Sequence, residues 1–141
     1  DVSRAAISIA KKNAAKNNVE INFVEMNFLD EGNYKGLAEF DLIISNPPYI
    51  PINQKDKLDR NVTAFEPHQA LFVPDNSPLL FFEKIAAFGK THLNTNGKIF
   101  METHEDYAKE TATLFSQFYK EVIIKKDIFG KQRMVVATLS R

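Results

Sequence analysis

Phe40-Asp41-Leu42-Ile43-Ile44 is apolar at every position but one, and it breaks at once into Ser45-Asn46-Pro47-Pro48-Tyr49. Near-continuous apolarity without alternation predicts a strand buried on both faces, as in a parallel sheet. The prolines end it. From Ser45 to Ser77 the chain then carries Pro47, Pro48, Pro51, Pro67 and Pro74 among Asn, Asp and Gln residues. A connection of this length and irregularity is usually functional or disordered.

Around this strand the pattern alternates. Ser3 is a suitable N-cap for a helix with an apolar stripe of Val2, Ala6, Ile9, Ala10 and Ala14, closed by Asn17-Asn18. Ile21 to Met26 reads as a short strand. Ser77-Pro78 predicts a helix start, with Leu80, Phe81, Ile85 and Phe88 as its core face and Gly89 near its end. Asn94 to Gly97 reads as a turn, Lys98 to Glu102 as a strand, and Ala108, Thr111, Ala112, Phe115 and Phe118 as a helical stripe. Strands at Glu121 to Lys126 and Met134 to Leu139 follow, separated by a turn with Gly130. The expected fold is α/β with an antiparallel final pair, in one globular unit.

The 18 basic and 18 acidic residues cancel, so net charge gives no support for binding a polyanion or an anionic membrane. Zero cysteines exclude disulfides, thiolate nucleophiles and Cys-ligated zinc, and sit easily with a cytoplasmic location. No apolar run approaches the roughly 20 residues of a membrane span. The three histidines, His68, His92 and His104, lack metal-ligand spacing, so no metal is expected. Asp30 and Asp41 are expected in turn and strand-edge roles.

Ligands of open α/β sheets bind beyond the carboxyl ends of the strands, which is where Asn46 to Tyr49 falls. Each proline holds its predecessor extended and supplies no N–H, so the loop is stiff and rich in acceptors. The Asn46 side-chain oxygen and the Pro47 carbonyl are suited to accept both hydrogens of one NH₂ group, and Tyr49 offers a ring to stack on a planar group. Such a pair of acceptors favours the pyramidal form of an amide or aromatic amine nitrogen, whose delocalised lone pair is otherwise a poor nucleophile. Aimed at a methyl sulfonium, that lone pair reacts without a strong general base. Asn46 and Pro47 are therefore the candidate catalytic residues.

Asn46-Pro47-Pro48-Tyr49 with Ile50, Phe65-Glu66-Pro67 with Ala70-Leu71, and Lys126, Asp127, Gly130 and Arg133 of the last hairpin resemble the HemK/PrmC family of release-factor glutamine N5-methyltransferases. The resemblance runs through nearly all of the chain. It implies a class I S-adenosylmethionine-dependent methyltransferase fold, Rossmann-like, acting on a glutamine side chain of peptide chain release factors. It implies substrate contacts at Asn46, Pro47, Pro48, Tyr49 and Glu66. Cofactor contacts would fall at Asp1, on the ribose hydroxyls, at Asn27 and Phe28 near the adenine, and at Asn46.

Two departures stand out. The family more often has Asp where Asn27 stands, and Thr103-His104 replaces a small pair that usually includes Gly. The chain opens on Asp1 with helix following immediately, and its five glycines form no cofactor loop. Residues 1–141 are accordingly expected to be the C-terminal part of a catalytic domain, lacking its first two strands and weak in cofactor binding by itself. In the class I strand order those strands lie between Ile21 to Met26 and Phe40 to Ile44, so the sheet should have a gap and residues 1–35 should be displaced, swapped with another copy or disordered.

Two other functions fit part of this pattern. An adenine or cytosine amino-methyltransferase of DNA or RNA shares Asn-Pro-Pro-Tyr, but Lys55, Lys57 and Arg60 are offset by Asp56, Asp59, Glu66 and Asp75, which favours a protein substrate. The other is a non-catalytic fragment or interaction module: the intact Asn46 to Tyr49 loop argues against it for the parent protein, while for this fragment, expected to be inactive alone without the cofactor loop, it stays open.

Overall fold

The computed structural model describes residues 1–139. They form two compact units, the first Asp1–Leu37 and the second from Ala38 onward, where the sequence predicts one. The difference begins at Ile21 to Met26, which forms no strand, leaving Ile21 and Val24 exposed. Extended backbone becomes a strand only when a neighbour takes its hydrogen bonds. Here the pairing is one residue long: the Asp1 ammonium donates to the Val24 carbonyl at 3.0 Å, and the Met26 N–H donates to the Asp1 carbonyl at 3.0 Å.

Helix α1 (Arg4–Lys16) starts where expected. The Ser3 hydroxyl accepts from the Ala6 N–H at 3.2 Å, Lys16 complements the negative end of the dipole, and Asn18 leaves with φ +53. Its stripe, however, is largely uncovered, with only Ala14 buried and Ile9 exposed. A second turn, of 3₁₀ type, spans Glu31–Tyr34, with the Asp30 carboxylate accepting the Gly32 N–H at 3.0 Å. Residues 1–37 thus bury little apolar surface.

The second unit holds a four-stranded sheet of β1 (Phe40–Ser45), β4 (Leu93–Glu102), β5 (Glu121–Lys126) and β6 (Gln132–Thr138) in the order β1-β4-β6-β5. β1 runs parallel to β4, β6 is antiparallel to β5 as the sequence predicts, and β6 is antiparallel to β4 as well. One face carries helices α4 (Leu80–His92) and α5 (Ala108–Ser116) over Ile99, Met101, Val135 and Ala137, all nearly inaccessible. β1 is an edge strand, and its outward Leu42 and Ile44 are 56% and 78% exposed, so burial on both faces is not observed.

Between β1 and α4 the long segment is organised rather than irregular. β2 (Ile50–Pro51) and β3 (Phe72–Val73) pair in parallel and close the base of an excursion holding a 3₁₀ turn (Ile52–Lys57), α2 (Arg60–Phe65) and α3 (His68–Leu71). Asp75 ties the base by accepting the Asn53 N–H at 2.7 Å.

Three local readings need correction. α4 begins at Leu80 behind Leu79, without a side-chain cap from Ser77, and runs to His92; its most buried ring is Phe82 rather than Phe81. The stretch expected to turn at Asn94 to Gly97 lies inside β4 as an irregularity. Phe40 pairs with Leu93 but Leu42 with Lys98, Asn96 takes φ +63, and Asn94 donates to the Asp41 carboxylate at 2.8 Å. In α5 the stripe is buried at Ala108, Thr111 and Phe115, whereas Phe118 is 41% exposed and Tyr119 takes the inward place.

Candidate active site

The register of β1 on β4 decides where the site lies. Ser45 pairs with Met101, so Asn46 and Glu102 come next on two adjacent parallel strands and face the same end of the sheet, the carboxyl end. Asn46 is exposed, Pro47 is buried, and Pro48 and Tyr49 are half-buried. Burial of Pro47 anchors the loop without cost in unpaired donors, because proline has none. Asn46 and the Pro47 carbonyl therefore leave the sheet on a fixed stem.

Tyr49 is what fastens the far side of that loop. Its hydroxyl donates to Glu102 Oε1 at 3.3 Å and also meets the Arg133 side chain on β6. Burial raises the phenol above its ordinary value, and the Glu102 charge raises it further against an opposing pull from Arg133. Tyr49 thus stays a neutral donor. Arg133 is brought close by β6 pairing, since Met134 lies opposite Glu102 and the Thr103 N–H donates to the Arg133 carbonyl at 2.9 Å. His104 completes the surroundings, its ring centroid 6.1 Å from Tyr49 and 6.0 Å from Tyr107. Glu102, Asp127, Arg133 and Met134 line a shallow depression of about 230 Å³ beside these groups.

Of the residues expected at the substrate, Asn46, Pro47, Pro48 and Tyr49 form one continuous loop in this place. Glu66 is exposed at the end of α2, within the excursion that β2 and β3 close, and it is its backbone N–H, donating to the Val62 carbonyl, that caps the helix. The role of Glu102 escapes sequence reasoning, as does that of His104, because both follow from register. A parallel neighbour for β1 ending in a charged residue is the signal that would have found Glu102.

Of the residues expected at the cofactor, Asp1, Asn27 and Phe28 belong to the first unit and Asn46 to the second. The Asp1 carboxylate accepts the Ser3 N–H through Oδ1 at 2.8 Å and is otherwise exposed, so it keeps lone pairs for hydroxyl donors. Asn27 Oδ1 accepts the Leu29 N–H at 3.0 Å, which leaves its NH₂ as the available group. The Phe28 ring lies 5.2 Å from Tyr34, whose hydroxyl donates to the Phe28 carbonyl. An acceptor at Asp1, a donor at Asn27 and the Phe28 ring are of the types that suit ribose hydroxyls and a purine.

Among the described residues no group of three or more His, Asp and Glu side chains is placed to hold a metal. His68 packs edge-on against Phe72, and His92 stacks on Phe88 at 4.3 Å. No helix of the described residues is long and apolar enough to cross a membrane.

Residues 1–65 match the model of the Methyltransferase small domain family. In structure the chain is similar to a methyltransferase from Pyrococcus furiosus, with a TM-score of 0.68 at 20% identity over 100% of this chain and 61% of that one. It is similar also to the release factor-specific protein-(glutamine-N5) methyltransferase of Alicyclobacillus acidocaldarius, with a TM-score of 0.52 at 23% identity over 94% of this chain and 74% of that one. The fold is that of the class I S-adenosylmethionine-dependent methyltransferases.

The sequence narrows the class. The protein named Release factor glutamine methyltransferase in Flavobacterium psychrophilum is 42% identical over 136 residues, which is 96% of this chain and 47% of that protein. By sequence the chain is similar over nearly its whole length to proteins named release factor glutamine methyltransferase, and it spans about half the length of the curated relatives it matches.

Proposed function

We propose that the protein carrying this chain transfers a methyl group from S-adenosylmethionine to the side-chain amide nitrogen of a glutamine in peptide chain release factors. The observation that supports it most is the exposed Asn46 standing on a buried Pro47 at the carboxyl end of β1, with Tyr49 tied to Glu102 and Arg133.

Asn46 Oδ1 and the Pro47 carbonyl accept the two amide hydrogens, which draws the nitrogen out of conjugation and localises its lone pair. Tyr49 lies along the amide plane and limits its rotation. Asp1 would accept from the ribose hydroxyls, with Asn27 and Phe28 toward the purine, and the bound cofactor supplies an electrophilic methyl on a cationic sulfur. The bound cofactor would supply the methyl carbon, with the carbon–sulfur bond pair left on sulfur, and the methylated glutamine nitrogen would give up one proton to solvent. No base of unusual strength is needed, because that nitrogen becomes acidic once it is methylated.

Asn46→Ala in the full-length protein tests this directly. Turnover on a release factor should fall on the order of a hundredfold, the scale set by removing one preorganised group at a transition state. Unchanged turnover would remove the mechanism, and methylation of DNA in preference to the release factor would replace the substrate.

A further inference from the structure

The last hairpin carries a feature that the methyl-transfer reading does not use. Between β5 and β6 the turn presents Ile128 and Phe129 to solvent at 93% and 81% exposure. Turns are ordinarily made of small polar residues, so two large apolar neighbours at a tip are out of place there. The tip is also firmly built. The Asp127 carboxylate accepts the N–H groups of Phe129 and Lys131 at 2.8 and 2.9 Å, the Asp127 N–H donates to the Lys131 carbonyl at 2.8 Å, and Gly130 takes φ +80, where other residues are strained.

The same hairpin reaches the candidate site. Arg133, three residues beyond Gly130, meets the Tyr49 hydroxyl, and the depression lined by Glu102, Asp127, Arg133 and Met134 joins the partners of Tyr49 to the start of the turn. A chain lying over the Asn46 to Tyr49 loop can follow that depression in extended form to the tip, gaining about 3.3 Å per residue.

We infer that Ile128 and Phe129 are a docking knob for the folded protein that carries the target glutamine, an inference that rests on the proposed activity. A rigid apolar anchor loses little conformational entropy on binding, and buried anchors of this kind dominate protein interfaces. Lys125 and Lys126 lie exposed at the base of the knob, and beside Phe129 the Lys126 and Lys131 charges are accompanied by Glu105 and Asp106, so the partner it fits is an apolar patch with a rim of both charges.

The test is the double substitution Ile128→Ser, Phe129→Ser in the full-length protein, with a whole release factor and a short glutamine peptide as substrates. KM for the whole factor should rise roughly tenfold, with kcat and both peptide constants unchanged. Melting temperature and oligomeric state should also stay as they are. An unchanged KM for the whole factor overturns the inference. So does a large fall in melting temperature, which makes the pair part of the protein's own core, or a loss of self-association, which makes it a contact between copies. Should the unaltered protein methylate no release factor, the proposed activity fails on its own account, and direct binding of the factor to the two forms still decides the knob.

Discussion

Gly89 gives a prediction whose sign is contested between local and tertiary effects. It sits inside α4, where replacing glycine by alanine ordinarily gains about 1 kcal/mol of helix propensity. A Cβ at this position, however, would meet the Tyr119 hydroxyl and lie 2.5 Å from Ile99 Cδ1. Neither neighbour has room to retreat, since Ile99 is inaccessible beneath the helices and Tyr119 is 4% exposed. Overpacking of this kind costs about 1–3 kcal/mol. Moving the phenol also breaks its hydrogen bond to the Ala86 carbonyl, 2.9 Å and buried, which adds about 1–3 kcal/mol for the donor left unpaired. Tertiary terms therefore outweigh propensity, and Gly89→Ala should destabilise by about 3 kcal/mol, lowering the melting temperature by about 10 °C. Urea titration of the single variant, of Tyr119→Phe and of the double variant measures it. The phenylalanine removes the nearest clash, so the double variant should be more stable than the sum of the singles requires, by about 1 kcal/mol. A midpoint for Gly89→Ala equal to or above that of the unaltered chain would refute the reasoning.

Tyr49→Phe in the full-length protein removes the tie to Glu102 and Arg133 while keeping the ring, and kcat on the release factor should fall about fivefold, consistent with roughly 1 kcal/mol for one hydrogen bond; a steady-state assay in which kcat does not move would free Tyr49 of this role. Tyr34, Tyr49 and Tyr119 are all raised above their ordinary 10.0, in each case by burial first, so their neutral forms favour the fold. The stability they contribute is intact below that value and is lost as pH rises beyond it toward their folded-state values. Urea midpoints should therefore hold up to about pH 10 and fall as pH rises above it, and the fall should be shallower in Tyr119→Phe.

What was legible in the sequence is what is local. The Ser3 cap, the alternation of β5 and β6 around Gly130 and the proline-stiffened Asn46 to Tyr49 loop each depend on residues within a few positions, and each appears where the pattern puts it. Ile21 to Met26 failed for the opposite reason. Its residues suit a strand, but a strand needs a backbone partner, and among the described residues the backbone pairing it finds is with Asp1, through Val24 and Met26. Asn94 to Gly97 lies between these cases. The left-handed Asn96 is a true local signal, absorbed by β4 as an irregularity because Leu139 exchanges backbone hydrogen bonds with Asn96 and Gly97 on the other side.

The same division runs through the site. The loop chemistry was readable, but the contact between Tyr49 and Glu102 joins residues 53 apart and exists only because Ser45 falls opposite Met101. A register shift of one residue would turn Glu102 to the other face of the sheet. Three of the residues that carry the family resemblance, Asp127, Gly130 and Arg133, act together through the hairpin. Asp127 and Gly130 build the turn, and that turn sets the pairing of β6 which delivers Arg133 to the phenol. The motif is thus a device for register, and its effect on the candidate site is exerted through Tyr49.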